Sequence, residues 1–170
     1  MTTGTRISTV LAAVGVVGTL FAGTAGAAST AGAGVSKLSL VKCGHAGRVT
    51  KKMCTLYKAA GSAASSGGYH WDSIGCLRSD RLPYHPEGRA CDLAYGKIGR
   101  AATGGNKTDG DKMAKWLVKH HTKYAIDHVI WRGIIYSPNG QWRGHKDKNC
   151  TSRASVTTCH KDHVHVAVKR

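Results

Sequence analysis

Six cysteines, Cys43, Cys54, Cys76, Cys91, Cys150 and Cys159, restrict the folds open to this chain more than any other feature. An even set in an exported chain reads as a disulfide framework, which ties backbone segments together before any core is considered. No C-x-x-C pair occurs, so the competing reading, a cysteine zinc site, has no spacing to support it. Sequence leaves the pairing open, with Cys43–Cys54, Cys76–Cys91 and Cys150–Cys159 as the simplest local solution.

Export is itself an expectation from the N-terminus. Arg6 precedes an apolar and small-residue run over residues 10–22, and Ala25-Gly26-Ala27 follows, the three-part layout of a secretory signal peptide cleaved after Ala27. The run is shorter than the roughly 20 residues that cross a bilayer, so no membrane span is expected. Residues 28–36 are small and uncharged and read as a flexible leader, with the domain proper over residues 37–170. Removal of residues 1–27 takes away one basic side chain, Arg6, from a chain whose 25 Lys and Arg against 9 Asp and Glu give +16. The basicity therefore belongs to the exported domain, where it favours anionic partners.

With 41% hydrophobic residues, 22 Gly and 3 Pro in 170 positions, the chain is too apolar for disorder and has no collagen-like period. Helical spacing of Met53, Leu56, Tyr57 and Ala60 predicts a helix over residues 49–60, stopped by Gly61 and Ser62. Met113, Trp116, Leu117 and His120 predict a second helix, capped by Thr108 or Asp109. Residues 67–83 read as irregular or strand-like, and residues 96–105 as a Gly-rich loop. Short β-branched or apolar runs predict strands over residues 90–95, 125–131, 134–136 and 163–168, with a turn at Ser137-Pro138-Asn139-Gly140. The sum is a small α+β domain: an antiparallel sheet with two main helices, stapled by disulfides.

Two clusters carry candidate chemistry. In His85-Pro86-Glu87-Gly88-Arg89-Ala90-Cys91-Asp92 a His and an Asp stand either side of a Gly turn, and on a strand starting at Ala90 the two-residue period puts Ala90 and Asp92 on one face, Cys91 on the other. In Asp162-His163-Val164-His165 the same period puts both imidazoles on one face of the last strand. Hydrolytic zinc sites need three N or O ligands, an open position and a neighbouring proton acceptor. His85, Asp92 and one of the two C-terminal histidines supply the ligands; spacing does not say which histidine.

The H-x-x-G-x-A-x-D run, followed far downstream by D-x-x-H and H-x-H, resembles the zinc peptidases that cleave bacterial cell-wall peptides, a superfamily that groups D-Ala-D-Ala carboxypeptidases, lysostaphin-type endopeptidases and the hedgehog signalling domain. The chain is most similar to the D-Ala-D-Ala carboxypeptidase and L-Ala-D-Glu endopeptidase branch, and to small exported domains of unassigned activity that share its IWR and DHVHV segments; the resemblance spans residues 78–168. It implies a hedgehog/D-Ala-D-Ala-peptidase-like fold and Zn2+ bound by His85, Asp92 and His165. It further implies Asp162 as general base, His163 as stabiliser of the transition state, and Arg78 as the arginine for a substrate carboxylate, with Arg81 and Arg89 as alternatives. Pro83 stands where the family usually has Ser.

The function so implied is hydrolysis of an amide bond in peptidoglycan stem peptides by a secreted, wall-associated monomer whose basic surface holds anionic wall polymer. The alternative is a non-catalytic, zinc-containing wall-binding module, which would have no need of a base at Asp162. Nucleic acid is not expected as a partner, because no recognition motif is present and aromatics make up only 6% of the chain. His70, His120, His121, His128, His145 and His160 read singly as surface or packed side chains.

Overall fold

The structure, a computed structural model, describes residues 38–170. The expected signal peptide and leader lie outside the described residues. From there the chain forms β1 (Leu40–Lys42), β2 (Arg48–Thr50), α1 (Lys51–Gly67), β3 (Ser73–Gly75), β4 (Ala90–Ala94), α2 (Gly104–Lys119), β5 (Ile126–Trp131), β6 (Ile134–Tyr136), β7 (His145–Lys146) and β8 (His163–Val168). β1 and β2 form a small antiparallel ribbon, and the other strands form one antiparallel sheet in the order β3-β4-β8-β5-β6-β7. The α+β class, antiparallel sheet and two helices expected from sequence are all present.

α1 begins where the Thr50 hydroxyl accepts the Met53 amide, and it buries Met53, Leu56, Ala60 and Ala64 along one side. It runs past Gly61 and Ser62, the expected stop. Ala60 and Ala64 keep the buried stripe going for another turn, and the helix ends only where Gly68, at φ +63°, donates back to the Ala64 and Ser65 carbonyls. α2 likewise starts at Gly104 rather than at Thr108 or Asp109, with Thr103 as N-cap. Inside the helix, Thr108 turns its hydroxyl onto the Gly104 carbonyl and Lys107 pairs with Asp111 one turn on.

The last strand lies in the middle of the sheet, between β4 and β5. Its alternation divides the molecule in two. Val164, Val166 and Val168 point into the core with Met53, Leu56, Met113, Leu117 and Val129, under the two helices. His163 and His165 point to the opposite face, which the loop segments 76–89 and 147–162 cover. That face carries the candidate site.

Of the pairings that sequence leaves open, the three disulfides take the simplest, local one: Cys43–Cys54, Cys76–Cys91 and Cys150–Cys159. Two of them bind the covering loops to the sheet or to themselves. Among the described residues no helix is long and apolar enough to cross a membrane.

Candidate metal centre

Register creates the site. β4 and β8 pair so that Asp92 stands directly opposite His165, and Ala94 opposite His163. Cross-strand partners lie within about 5.5 Å, so the Asp92 carboxylate reaches the His165 ring without distortion: Oδ1 is 2.8 Å from Nδ1. His85 comes from the loop before β4. Gly88, at φ +64°, turns that loop back toward the sheet, and the Cys76–Cys91 bond ties its beginning to the strand. His85 Nε2 arrives 3.3 Å from His165 Nδ1 and 3.4 Å from Asp92 Oδ1.

These three atoms belong to the three residues that the resemblance implies as ligands, and they form a compact group able to hold a metal ion. Tetrahedral N and O ligands at about 2.0–2.1 Å from zinc stand about 3.3 Å from each other. The edges of 2.8, 3.3 and 3.4 Å are close to that triangle.

Hydrogen bonding fixes the lone pairs. His85 Nδ1 donates to the Cys76 carbonyl at 2.6 Å, which leaves Nε2 without a proton. His128 Nδ1 donates to Asp127 Oδ1 at 2.7 Å, so His128 Nε2 accepts from His165 Nε2 at 3.2 Å and His165 Nδ1 is left free. Three acceptors, His85 Nε2, Asp92 Oδ1 and His165 Nδ1, thus converge with no donor between them, an arrangement that a cation satisfies.

The charge states agree with this network. Burial pushes His165 down to about 4, against the opposing pull of Asp92, so the ring is neutral near pH 7. Burial pushes the Asp92 carboxyl up, but its contacts with the His165, His85 and His163 imidazoles outweigh burial and hold it well below the usual carboxylate range. Arg78 Nη1 holds the other oxygen, Oδ2, at 2.8 Å. The arginine expected for a substrate carboxylate is therefore engaged by the Asp92 carboxylate. Arg89, the other alternative, is buried on Glu87 and the Val168 carbonyl and is structural.

Asp162 and His163 form a pair beside this triangle. Asp162 is fully buried, and both its oxygens are taken: Oδ1 by His163 Nδ1 at 2.6 Å, Oδ2 by the Gly99 amide and the Thr157 hydroxyl, each at 2.7 Å. Burial works to raise its pKa, but the Thr157, Gly99 and His163 hydrogen bonds together lower it. The group that faces the cluster is His163 Nε2, 3.6 Å from Asp92 Oδ1, and not the Asp162 carboxylate itself.

Two histidines read from sequence as surface or packing residues belong to the site. His128 orients His165. A bulge in β5 between Ile126 and His128 makes this possible, since it lets Ile126, Val129 and Trp131 all face the core while His128 and Ile130 face the site. An Asp-His pair inside an apolar strand is the one sequence signal for it. His160, next to Cys159, has its ring 4.8 Å from that of His163 and 5.5 Å from that of His165. Nothing in its sequence neighbourhood marks it.

The cluster opens on a cleft of about 620 Å³ lined by Asp92, His163 and His160, with Arg78, Arg81 and Lys148 at its cationic side.

A family model described as the VldE C-terminal domain matches residues 45–160. No curated protein and no solved structure matches the chain.

Proposed function

The chain belongs to the family described as VldE, C-terminal domain, and from the chemistry of its own cluster we propose that it is an exported zinc-dependent peptidase acting on an amide bond of peptidoglycan stem peptides. The observation that carries the reading is the convergence of His85 Nε2, Asp92 Oδ1 and His165 Nδ1, three acceptors without a donor, beside an open cleft that Asp92 lines. The resemblance of the H-x-x-G-x-A-x-D and D-H-V-H segments to the cell-wall zinc peptidases supports the choice of metal and of substrate. Three disulfides fit an oxidising, extracellular compartment.

Zinc held by these three residues would supply Lewis acidity, acidifying a water molecule and polarising the scissile carbonyl. His163 does the proton work. Its Nδ1 proton is committed to Asp162, so Nε2 is an acceptor that faces the cluster, within reach of a water attacking there. As the water oxygen bonds to the carbonyl carbon its proton passes to Nε2, and the same proton goes to the departing amine as the C–N bond breaks. Asp162 stabilises the imidazolium formed in between and fixes the ring, which assigns it an indirect share of the base role expected of it. With Arg78 engaged by Asp92, Arg81 and Lys148 are the cations at the cleft that meet a substrate carboxylate. The surplus of basic residues draws the protein to anionic wall polymer.

A wall-binding module would need the three ligands but not a carboxylate–imidazole pair aimed at them. Metal analysis of the purified protein, followed by counting amino groups released from purified peptidoglycan, tests the reading. One zinc per chain with amino-group release supports it; zinc without release transfers the weight to the binding module, and no zinc removes the centre of the proposal.

A further inference from the structure

Asp147 and His160 stand at the two ends of the segment that the Cys150–Cys159 bond closes. Asp147 is 2% exposed, and its Oδ1 accepts the Asn149 amide at 3.0 Å. Its Oδ2 is buried without any hydrogen-bond partner, and so is His160 Nδ1. These two unpaired atoms face each other across 3.9 Å. A buried carboxylate oxygen with no donor is costly, and such a group calls for an explanation.

His160 is held firmly in this place. Its φ is +49°, a left-handed conformation that disfavours any residue with a Cβ. Its amide donates to the Thr157 carbonyl and its carbonyl accepts the Arg132 amide at 2.7 Å, so the backbone is fixed on both sides. The strained position aims one edge of the ring at Asp147, while the ring as a whole lines the same cleft as Asp92 and His163. Strain that is fixed by its surroundings is concentrated at functional sites.

From this geometry we infer that Asp147 and His160 are a second carboxylate–imidazole pair serving the cleft, in which Asp147 keeps the His160 proton on Nδ1 so that Nε2 accepts an N–H of the bound peptide. The role deepens the peptidase reading and rests on it. It differs from that of His163: His160 binds and orients the chain, whereas His163 moves the proton. A peptide backbone has such N–H groups on either side of the scissile bond, and a neutral imidazole accepts one without competing for the metal. A contraction of about 1 Å would bring the 3.9 Å separation to hydrogen-bond distance.

The test uses the zinc-loaded protein with His160→Leu, His160→Gln and Asp147→Asn variants, and it has two arms. Long-range proton–nitrogen correlation of the imidazoles reads the tautomer without any substrate. His160 should carry its proton on Nδ1, and Asp147→Asn should shift the population toward Nε2–H; a wild-type ring protonated on Nε2 overturns the inference. In the second arm, purified peptidoglycan is the substrate and zinc content is measured beside the rate. His160→Leu should keep its zinc, raise the peptidoglycan concentration for half-maximal rate about tenfold and change the maximal rate less than about threefold, with His160→Gln, which retains an acceptor near Nε2, recovering most of the loss. Unchanged kinetics in His160→Leu, or loss of zinc from it, overturns the inference while leaving the peptidase intact. A wild-type protein that releases no amino groups overturns the peptidase reading and the binding role with it, and the tautomer arm still decides the Asp147–His160 pairing by itself.

Discussion

Asp92 and His165 are direct partners across the β4–β8 ladder, and their side chains meet on the site face at 2.8 Å. Two of the three converging acceptors are thus set by strand register, and only His85 depends on a loop.

Removal of a converging acceptor should abolish metal binding, whereas removal of the group behind it should only weaken it. His85→Ala and His165→Ala are expected to purify with less than about a tenth of a zinc per chain. His128→Ala, which removes the acceptor for His165 Nε2, should retain metal with affinity reduced about 10- to 100-fold. Competition against a chelator measures both. A His128→Ala protein of unchanged affinity would show that His165 needs no such support.

The Cys76–Cys91 bond joins the residue whose carbonyl orients His85 to the neighbour of Asp92. A paired Cys76→Ser, Cys91→Ser variant should lose about 3 kcal/mol of stability, the usual effect of opening a loop of this size. Its metal affinity should fall as well, because the His85 ring loses the fixed acceptor at Nδ1. Denaturant unfolding and zinc titration of the same preparation check the two effects, and loss of stability with full metal affinity would disprove the link.

Acid should destabilise the metal-free protein over a defined window. Burial holds His165 and His160 down to about 4 and about 3, below their ordinary 6.5. Between those values and 6.5 the unfolded chain binds more protons than the folded one, so the stability that these rings contribute is complete above pH 6.5 and is lost as pH falls toward 4 and then 3. Melting temperatures of the metal-free protein at pH 8, 6 and 4 should fall mainly between the last two, and a flat profile would contradict the assigned neutral state.

Gly88 is the turn residue of the His85–Asp92 segment. At φ +64° a side chain is strained, and a Cβ there would stand 2.8 Å from Leu40 Cδ2 and 3.1 Å from the Val49 backbone. Gly88→Ala should cost about 2 kcal/mol or more and weaken zinc binding, since the displaced loop carries His85. Thermal unfolding with and without zinc reads both.

Local pattern made much of this molecule legible in the sequence. The His-Val alternation of the last strand specified one polar and one apolar face because the side-chain period of a strand is two, whatever it packs against. The strand over residues 134–136 and the burial of Met53, Leu56 and Ala60 are local in the same sense. So are the three disulfides, each joining cysteines 9 to 15 residues apart. Helix ends were less legible. Gly61 is a breaker by propensity, but burial of Ala64 one turn further on outweighs that preference.

The sequence by itself determined that His85, Asp92 and the C-terminal histidines are chemically suited to one centre, and that the chain can form an α+β domain stapled at three points. Only the tertiary structure decided how their ring nitrogens and carboxylate oxygens are arranged. Which ring nitrogen is free depends on the group at the other nitrogen, and those groups come from other segments of the fold: the Cys76 carbonyl for His85 and His128 for His165. Asp162 was visible as an acid near the cluster, yet Thr157 and the Gly99 amide, brought in by two separate loops, occupy its second oxygen and leave His163 as the face that it presents to the site. Proton positions are set by contacts across space, and a linear pattern of residue types does not contain them.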